Sequence, residues 1–213
     1  MFNFKKTYQL PFKHKVQNDS KIYIQQHSIF RRYFKFLKRY FINHLLRQNS
    51  LELNKINEKH NSILWVNISA PSFGDSLMDL SSRVLLQNKK VDLFTNIADS
   101  NIYLEDEIFS NVFTDKKSIN KKKYNLVILD SYSSRSLRVK FDIAPSTPFV
   151  GMYGFYNGPD VNRTLFSFHR LNHLLGDINT EKRINEIAKT SLTISKNDKE
   201  VVKIQNFPED FIV

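Results

Sequence analysis

Short apolar runs alternate with segments of helical periodicity from residue 61 onward, and this alternation constrains the fold more than any other feature of the sequence. Strands are predicted at Ser62–Ile68, Val91–Asn96, Val112–Thr114, Asn125–Asp130, Pro148–Tyr153 and Leu192–Ser195. Helices are predicted at Asp99–Phe109, Ser134–Phe141, Arg163–Leu175, which ends before Gly176, and Glu181–Lys189. Strands that alternate with helices predict an α/β fold, a Rossmann-like parallel sheet with helices on both faces.

The first strand is followed by a loop of small and turn-forming residues and then by a further helix. Leu77, Leu80 and Val84 repeat at helical spacing, and Asp79 and Arg83 are predicted to face solvent. In sheets of this kind ligands bind beyond the carboxyl ends of the strands. The loops expected to carry a site are Ser69–Asp75, Thr95–Asp99, Ser131–Arg135 and Gly154–Asn162.

The positive charge of the chain is concentrated at one end. Of the net charge of +11, residues 1–60 carry +10, from 13 basic and 3 acidic side chains. Such a segment attracts polyanions, namely anionic lipid, lipopolysaccharide phosphates or nucleic acid. The sequence has no cysteine, which excludes disulfides, thiolate metal sites and cysteine nucleophiles. It also has no uninterrupted apolar run of the length that spans a bilayer.

A cationic amphipathic helix is predicted at about residues 29–47. Its apolar arc is formed by Phe30, Tyr33, Phe34, Leu37, Phe41 and Leu45, and its cationic arc by Arg31, Arg32, Lys35, Lys38 and Arg39. Two interpretations remain open. The helix can lie in a membrane interface, with the cations at anionic head groups, or its apolar arc can pack on the following domain. The many lysines and the position of the helix argue against a transit peptide.

Several segments, in order, resemble glycosyltransferase family 9, the ADP-heptose:lipopolysaccharide heptosyltransferases. ILWVNISAPSFGDSLMDLSSRVLL is similar to the first strand, the Gly-Asp loop and the first helix of the family. VDLFTN resembles its second strand, and YNLVILDSYSSRSLRVKF its central strand with the following loop and helix. PFVGMYGFY and NRTLFSFHRLNHLLG resemble the return strand and the long helix that follows. The similarity covers residues 62–196.

The resemblance implies the acceptor-side, N-terminal half of a GT-B fold at 61–196, with 1–60 as a basic extension and 197–213 as a tail or the start of a second domain. It implies inverting, metal-independent transfer of heptose from ADP-heptose to a lipopolysaccharide inner-core sugar, with no resident cofactor. Because the family binds its donor in a second domain, we expect this chain to be truncated and inactive alone, or to work with a separate donor-domain chain. The expected location is cytoplasmic, peripheral on the inner face of the bacterial inner membrane.

Asp75 is the candidate catalytic residue. The resemblance places the catalytic aspartate of the family at Asp75, where it would take the proton of the acceptor hydroxyl. The residues alone favour Asp75 as the N-cap of the helix that follows; with the resemblance the base is favoured, and one residue can have both roles. Gly74 permits a close approach of a ligand to the backbone.

Polar residues after the central strand are candidate acceptor-binding groups: Ser133, Ser134, Arg135 and Arg138. Guanidinium groups suit the phosphate or carboxylate of the acceptor that the resemblance implies, although solvent-facing arginines on a short helix would look the same. Tyr153, Phe155 and Tyr156 can stack on a sugar ring or close the core. His169 and His173 have chelating spacing but no third ligand, so a surface pair is predicted and no metal site.

Two other functions are consistent with this sequence. One is a membrane-peripheral protein that binds a glycan or a partner without catalysis. The other is a nucleic-acid-binding protein, which the charge allows but no recognised motif supports.

Overall fold

Five short apolar segments form an all-parallel sheet, and the prediction of an α/β Rossmann-like fold is confirmed. The structure is a computed structural model that describes residues 4–17, 29–120, 123–158, 160–193 and 200. The strands are β1 (Ser62–Asn67), β2 (Lys90–Thr95), β3 (Phe109–Phe113), β4 (Leu126–Leu129) and β5 (Phe149–Gly151). Their order in the sheet is β3-β2-β1-β4-β5.

Helices surround this sheet. They are α1 (Ile29–Leu45), α2 (Phe73–Asp79), α3 (Ile97–Ser100), α4 (Ser134–Ile143), α5 (Arg163–Leu174) and α6 (Glu181–Ile187). Short 3-10 helices occur at Phe4–Thr7, Asn49–Leu51, Ser81–Leu86, Asn101–Tyr103 and Lys116–Ser118. In the described residues no helix has the length and hydropathy needed to cross a membrane.

The two faces of the sheet carry separate apolar clusters, as the strand period of two requires. Trp65 of β1 points to the face covered by α5, where Leu171 and Leu174 pack. Its neighbours Leu64 and Val66 point to the opposite face, which α4 covers. Because both faces are covered, β4 is apolar along its whole length and β1 nearly so, which is the pattern that identifies these two strands in the sequence.

β1 is the topological switch point of the sheet. It pairs with β2 on one side and with β4 on the other, both in parallel. The chain therefore passes from β1 outward to β3 and then returns across β1 to form β4 and β5. The loops after β1 and β4 leave toward opposite faces, and a crevice opens between them at the carboxyl edge.

Helix α1 packs on the body through a side that lies opposite its apolar arc, so the interpretation in which the apolar arc packs on the following domain is wrong. Arg32, Phe36 and Asn43 are buried, whereas Phe30, Phe34, Phe41 and Leu45 are exposed. Phe36 anchors this orientation, because its ring packs against Phe4 at 5.9 Å and Phe155 at 5.3 Å between ring centroids. Helical periodicity separates two arcs but cannot say which arc faces the protein.

The five cations predicted to form one membrane surface are consequently divided between two environments. Arg31 and Lys38 are exposed. Arg32 is buried against the ring of Tyr8, with its guanidinium carbon 5.4 Å from the ring centroid. Lys35 and Arg39 border a cleft in the body.

The prediction that Asp79 and Arg83 face solvent is also wrong, since both side chains are buried. The α-helix ends at Asp79 and continues as the 3-10 helix Ser81–Leu86, which rotates the later side chains away from the 100° pattern. Each charge has an ion-pair partner: Asp79 contacts Arg163, and Arg83 contacts Asp106 at 2.7 Å. Pairing is what allows charged groups to be buried here.

Two smaller predictions differ from the structure. The helix expected at Asp99–Phe109 is shorter and earlier, because Phe109 pairs with Val91 and opens β3. The strand expected at Leu192–Ser195 does not form at residues 192 and 193, and its remainder lies outside the described residues.

Lys140 of α4 is a fully buried cation with neutral partners. Its Nζ donates to Gln48 Oε1 and to the carbonyl oxygen of Pro145, and it lies 5.1 Å from the centroid of the Phe149 ring. In the part of the chain that the structure describes, no carboxylate lies within 4.0 Å of it. Burial lowers the pKa of Lys140 from 10.5 to about 7.

Lys140→Met should change how stability depends on pH. Between the folded pKa of about 7 and the unfolded value of 10.5, the unfolded chain binds more protons, so the parent gains stability as pH rises. Below that interval the folded parent carries a penalty of roughly 4 kcal/mol for the buried charge. We expect the free energy of unfolding of the variant relative to the parent, measured in urea, to decrease from pH 6 to pH 10. The exposed-residue control Lys90→Met should show no such trend; a flat difference for Lys140→Met would contradict the assignment.

Candidate functional site

A cleft of about 370 Å³ opens at the carboxyl edge of β1, β4 and β5, at the switch point of the sheet. Its walls come from the loops that follow these three strands, from the first turn of α5 and from α1. The polar residues that line it are Lys35, Arg39, Ser69, Asp79, Asp130, Ser131, Ser133, Tyr153, Asn157, Asp160 and Arg163.

Asp130, immediately after β4, joins the loops on the two sides of the cleft. Its Oδ2 accepts hydrogen bonds from the backbone N–H groups of Ile68 at 2.8 Å and Ser69 at 2.6 Å. Its Oδ1 accepts from the backbone N–H of Ser131 and from the hydroxyl of Ser136 at 2.7 Å. Burial raises the pKa of Asp130, while the hydrogen bonds act in the opposite direction. With four donors on two oxygens, this carboxylate positions the loops.

Three serine hydroxyls connect the same two loops. The hydroxyl of Ser69 lies 2.9 Å from those of Ser133 and Ser136, and these two are 2.8 Å apart. Ser133 is also the N-cap of α4, where its hydroxyl accepts from the backbone N–H of Ser136 at 3.1 Å. Ser69 and Ser133 therefore present orientable hydroxyl groups at the cleft wall.

Asp79, Tyr153 and Arg163 form a buried charged cluster at another part of the wall. Asp79 Oδ1 accepts from Tyr153 Oη at 2.9 Å and from Arg163 Nε at 3.0 Å, and its Oδ2 accepts from Arg163 Nη2. Burial raises the pKa of Asp79, while Arg163 and Tyr153 lower it. The nearby carboxylates raise the pKa of Arg163, against the effect of its burial. This guanidinium is thus largely neutralised.

Lys35 and Arg39 project from α1 and form the positive side of the cleft. Arg39 Nη1 donates to the carbonyl oxygen of Phe155 at 3.4 Å. Among the described residues, no carboxylate lies within 4.0 Å of either cation. Desolvation lowers the pKa of Lys35, and the neighbouring arginines lower it further. Burial also lowers the pKa of Arg39, against the attraction of Asp130. An anion in the cleft would relieve this unbalanced charge.

Asp75 lies beside the cleft and forms an ion pair with Arg163, which lines it. Its Oδ1 is 3.1 Å from Arg163 Nη1, and its Oδ2 accepts from the Ser72 hydroxyl at 2.8 Å. Ser72 is the N-cap of α2 and accepts from the backbone N–H of Asp75, so the expectation that Asp75 is the cap itself is wrong. The Asp75 side chain remains 23% exposed.

The predicted acceptor-binding residues are only partly brought together. Ser133 lines the cleft, whereas Gly74 and Ser134 do not. Arg135 is exposed and donates to the carbonyl oxygen of Ile68 at 3.2 Å, and Arg138 is exposed on α4. A Cβ added at Gly74 would meet no atom within 4 Å, so close packing does not require this glycine.

The two spaced histidines do not form a surface pair, because His169 is fully buried. Its Nδ1 lies 2.9 Å from Nδ1 of His14, and its Nε2 is 2.8 Å from Oδ1 of Asn185. His173 contacts Asp177 at 3.0 Å instead. The described residues contain no group of three side chains suited to hold a metal ion.

Three charged lining residues after residue 60 lie outside every loop that the sequence indicated as a site: Asp79, Asp130 and Arg163. The position of Asp130, directly after the most clearly apolar strand and at the ligand-binding edge, was an available signal. No local pattern indicated that Lys35 and Arg39, distant in sequence from the sheet, would complete its cleft.

Comparison of the chain with models of protein families, with curated proteins and with solved structures gave no significant match. The chemistry of the cleft is therefore argued from its geometry.

Arg163→Gln should destabilise the protein in a pH-dependent way. The change leaves Asp79 buried without its cation. Breaking a buried ion pair in this way lowers the free energy of unfolding by about 3 kcal/mol. It also raises the pKa of Asp79 further, and a raised folded pKa means that stability is lost as pH rises through it. The loss measured by urea unfolding should therefore be larger at pH 7.5 than at pH 4.5.

The double variant Asp79→Asn/Arg163→Gln provides the control. Because it removes the buried charge, it should recover part of the stability and abolish the pH trend. Equal losses at both pH values for Arg163→Gln would show that Asp79 is not the group left uncompensated.

Proposed function

We propose that the cleft binds an anionic sugar, and that residues 61–196 are the acceptor-side domain of a heptosyltransferase-like protein. The observation that carries this proposal is the pair Lys35 and Arg39, two cations that face a switch-point cleft and have no carboxylate partner within 4.0 Å among the described residues. A phosphate or carboxylate on the ligand supplies the missing counter-charge.

The remaining wall suits the neutral part of a sugar. The hydroxyls of Ser69 and Ser133 can donate to or accept from ligand hydroxyl groups. Tyr153 and Tyr156 add aromatic surface, and both stack on Phe166, at 4.3 and 5.3 Å between ring centroids. Because these rings are already held by packing, a sugar would meet a preorganised surface.

In the proposed transfer, Asp75 takes the proton from the acceptor hydroxyl as its oxygen bonds to the anomeric carbon of the donor sugar, while the bond from that carbon to the phosphate oxygen breaks and ADP leaves. Each of its oxygens has one protein contact, to Arg163 and to Ser72. A carboxylate has about four lone-pair sites, so acceptor positions remain open. ADP-heptose is the proposed donor and an inner-core sugar of lipopolysaccharide the proposed acceptor. In glycosyltransferase family 9, which residues 62–196 resemble, a second domain binds the donor. The proposed transfer would require such a domain.

Phosphosugar binding should depend on the inward cations of α1. Arg39→Gln and Lys35→Gln should each weaken the binding of a hexose 6-phosphate about tenfold, since a charge-assisted hydrogen bond contributes about 1.5–3 kcal/mol. Isothermal titration calorimetry of the full chain measures this. Lys38→Gln, on the exposed side of the same helix, is the matched control and should bind like the parent. Equal binding of unphosphorylated hexose by the parent would contradict the proposal.

Asp75→Asn should separate catalysis from binding. We expect no release of ADP from ADP-heptose by the chain alone with heptose-deficient lipopolysaccharide, and turnover once a heptosyltransferase donor-binding domain is supplied. Loss of the base should then lower this turnover about 10²–10⁴-fold, with phosphosugar affinity little changed. Asp115→Asn, which alters an exposed cap far from the cleft in sequence, is the control. Undiminished turnover in Asp75→Asn would remove Asp75 from the mechanism.

The second candidate is a membrane-peripheral glycan-binding protein without catalysis. It is favoured by the protein contacts that occupy the two carboxylates buried in the cleft wall. Asp130 accepts four hydrogen bonds, and Asp79 is bound to Arg163 and Tyr153. Neither is open to accept a proton from a ligand. This candidate predicts phosphosugar binding with no turnover when the donor domain is supplied.

A further inference from the structure

The outward side of α1 is an apolar surface, and the side of the helix that is buried against the body carries Arg32, Phe36 and Asn43. We call this surface the aromatic face, defined by Ile29, Phe30, Phe34, Phe41 and Leu45, of which Phe30 is 73% and Leu45 80% exposed. Tyr33 and Tyr40 extend it at the edge with smaller exposed fractions. A row of exposed large apolar side chains on a soluble surface indicates an interaction site.

The inward side of the same helix shows what this orientation costs. Arg32 is only 3% exposed, and its Nε and Nη2 atoms have no hydrogen-bond partner among the residues that the structure describes. A buried guanidinium without full hydrogen bonding is unfavourable, and so are the exposed phenyl rings. The ring contacts of Phe36 hold α1 in this orientation, and a partner for the aromatic face would cover the rings that it leaves exposed.

We propose that the aromatic face docks on an anionic lipid bilayer. Two exposed cations border it, since Arg31 and Lys38 lie on one flank of the arc. Cations beside buried rings are the arrangement that binds an interface with anionic head groups. Residues 1–60 carry a net charge of +10, so a second copy of this chain would bring a surface of like charge against this one.

Docking requires no movement of α1, because the aromatic face already points away from the body. Lys35 and Arg39 project from the other side of the helix into the cleft. A helix with side chains is about 10–12 Å across, so the cleft would lie within about one helix diameter of the head groups. This last step rests on the proposed function, whereas the docking itself does not.

The test compares two triple variants of the full chain. Phe30→Gln/Phe34→Gln/Phe41→Gln removes the rings, and glutamine retains good helix propensity. Ile97→Gln/Leu104→Gln/Ile178→Gln is the matched control, since it removes three equally exposed apolar side chains elsewhere. Binding is measured by flotation with vesicles of phosphatidylcholine alone and with 30% phosphatidylglycerol, and circular dichroism reports whether each variant folds.

We expect the parent and the control to bind the anionic vesicles, and the phenylalanine variant to bind on the order of 100-fold more weakly. Neutral vesicles should bind the parent weakly. Equal binding of the two triple variants, or no binding by the parent, would overturn the proposal. So would a dimer, in sedimentation, that only the phenylalanine variant abolishes, because a second copy would then cover the face.

Arg39→Gln distinguishes this inference from the proposed function. Its side chain points into the cleft, so vesicle binding should stay within about threefold of the parent even where phosphosugar binding is lost. If the parent binds no phosphosugar but binds anionic vesicles through the aromatic face, the cleft assignment fails and the docking surface stands.

Discussion

The carboxylate of Asp130 holds together the two loops between which the cleft opens. The chain enters these loops from neighbouring parallel strands and leaves them toward opposite faces of the sheet, so nothing in the strand ladder itself fixes their separation. Hydrogen bonds from Ile68, Ser69, Ser131 and Ser136 to one side chain supply that restraint. They also satisfy backbone N–H groups that would otherwise be buried without acceptors. The cleft is thereby formed before any ligand arrives.

The positive character of the cleft comes from a segment outside the sheet. Residues 61–213 are nearly neutral, with a net charge of +1, and the two buried acidic groups at the cleft wall, Asp79 and Asp130, are engaged by Arg163 or by hydrogen-bond donors. The basic segment joins the body through Leu53, whose N–H donates to the carbonyl oxygen of Phe149 at 2.8 Å, and through Ile56, which donates to Leu174 at 2.7 Å. Helix α1 then adds Lys35 and Arg39. The extension and the sheet therefore build one site.

The strands and their parallel arrangement could be predicted because burial on both faces leaves a continuous apolar signal, as in Leu126–Leu129. The helices with a strong cap and a clear stop were also predicted closely, and Gly176 ends α5 with a φ of +94°. The side chains of Asp79 and Arg83 were misplaced because burial of a charge depends on a partner distant in sequence. The orientation of α1 could not be predicted for a related reason. Which arc faces the body is decided by tertiary contacts such as that of Phe36 with Phe155.

The close approach of His14 and His169 has a consequence for the segment that precedes α1. At 2.9 Å between their Nδ1 atoms, one imidazole must donate a proton and the other must accept it. Burial lowers the pKa of His169, which favours the neutral ring that such a contact needs. Since Phe4 of the same segment packs on Phe36 of α1, the contact between the two imidazoles bears on how firmly the cationic wall is held in place.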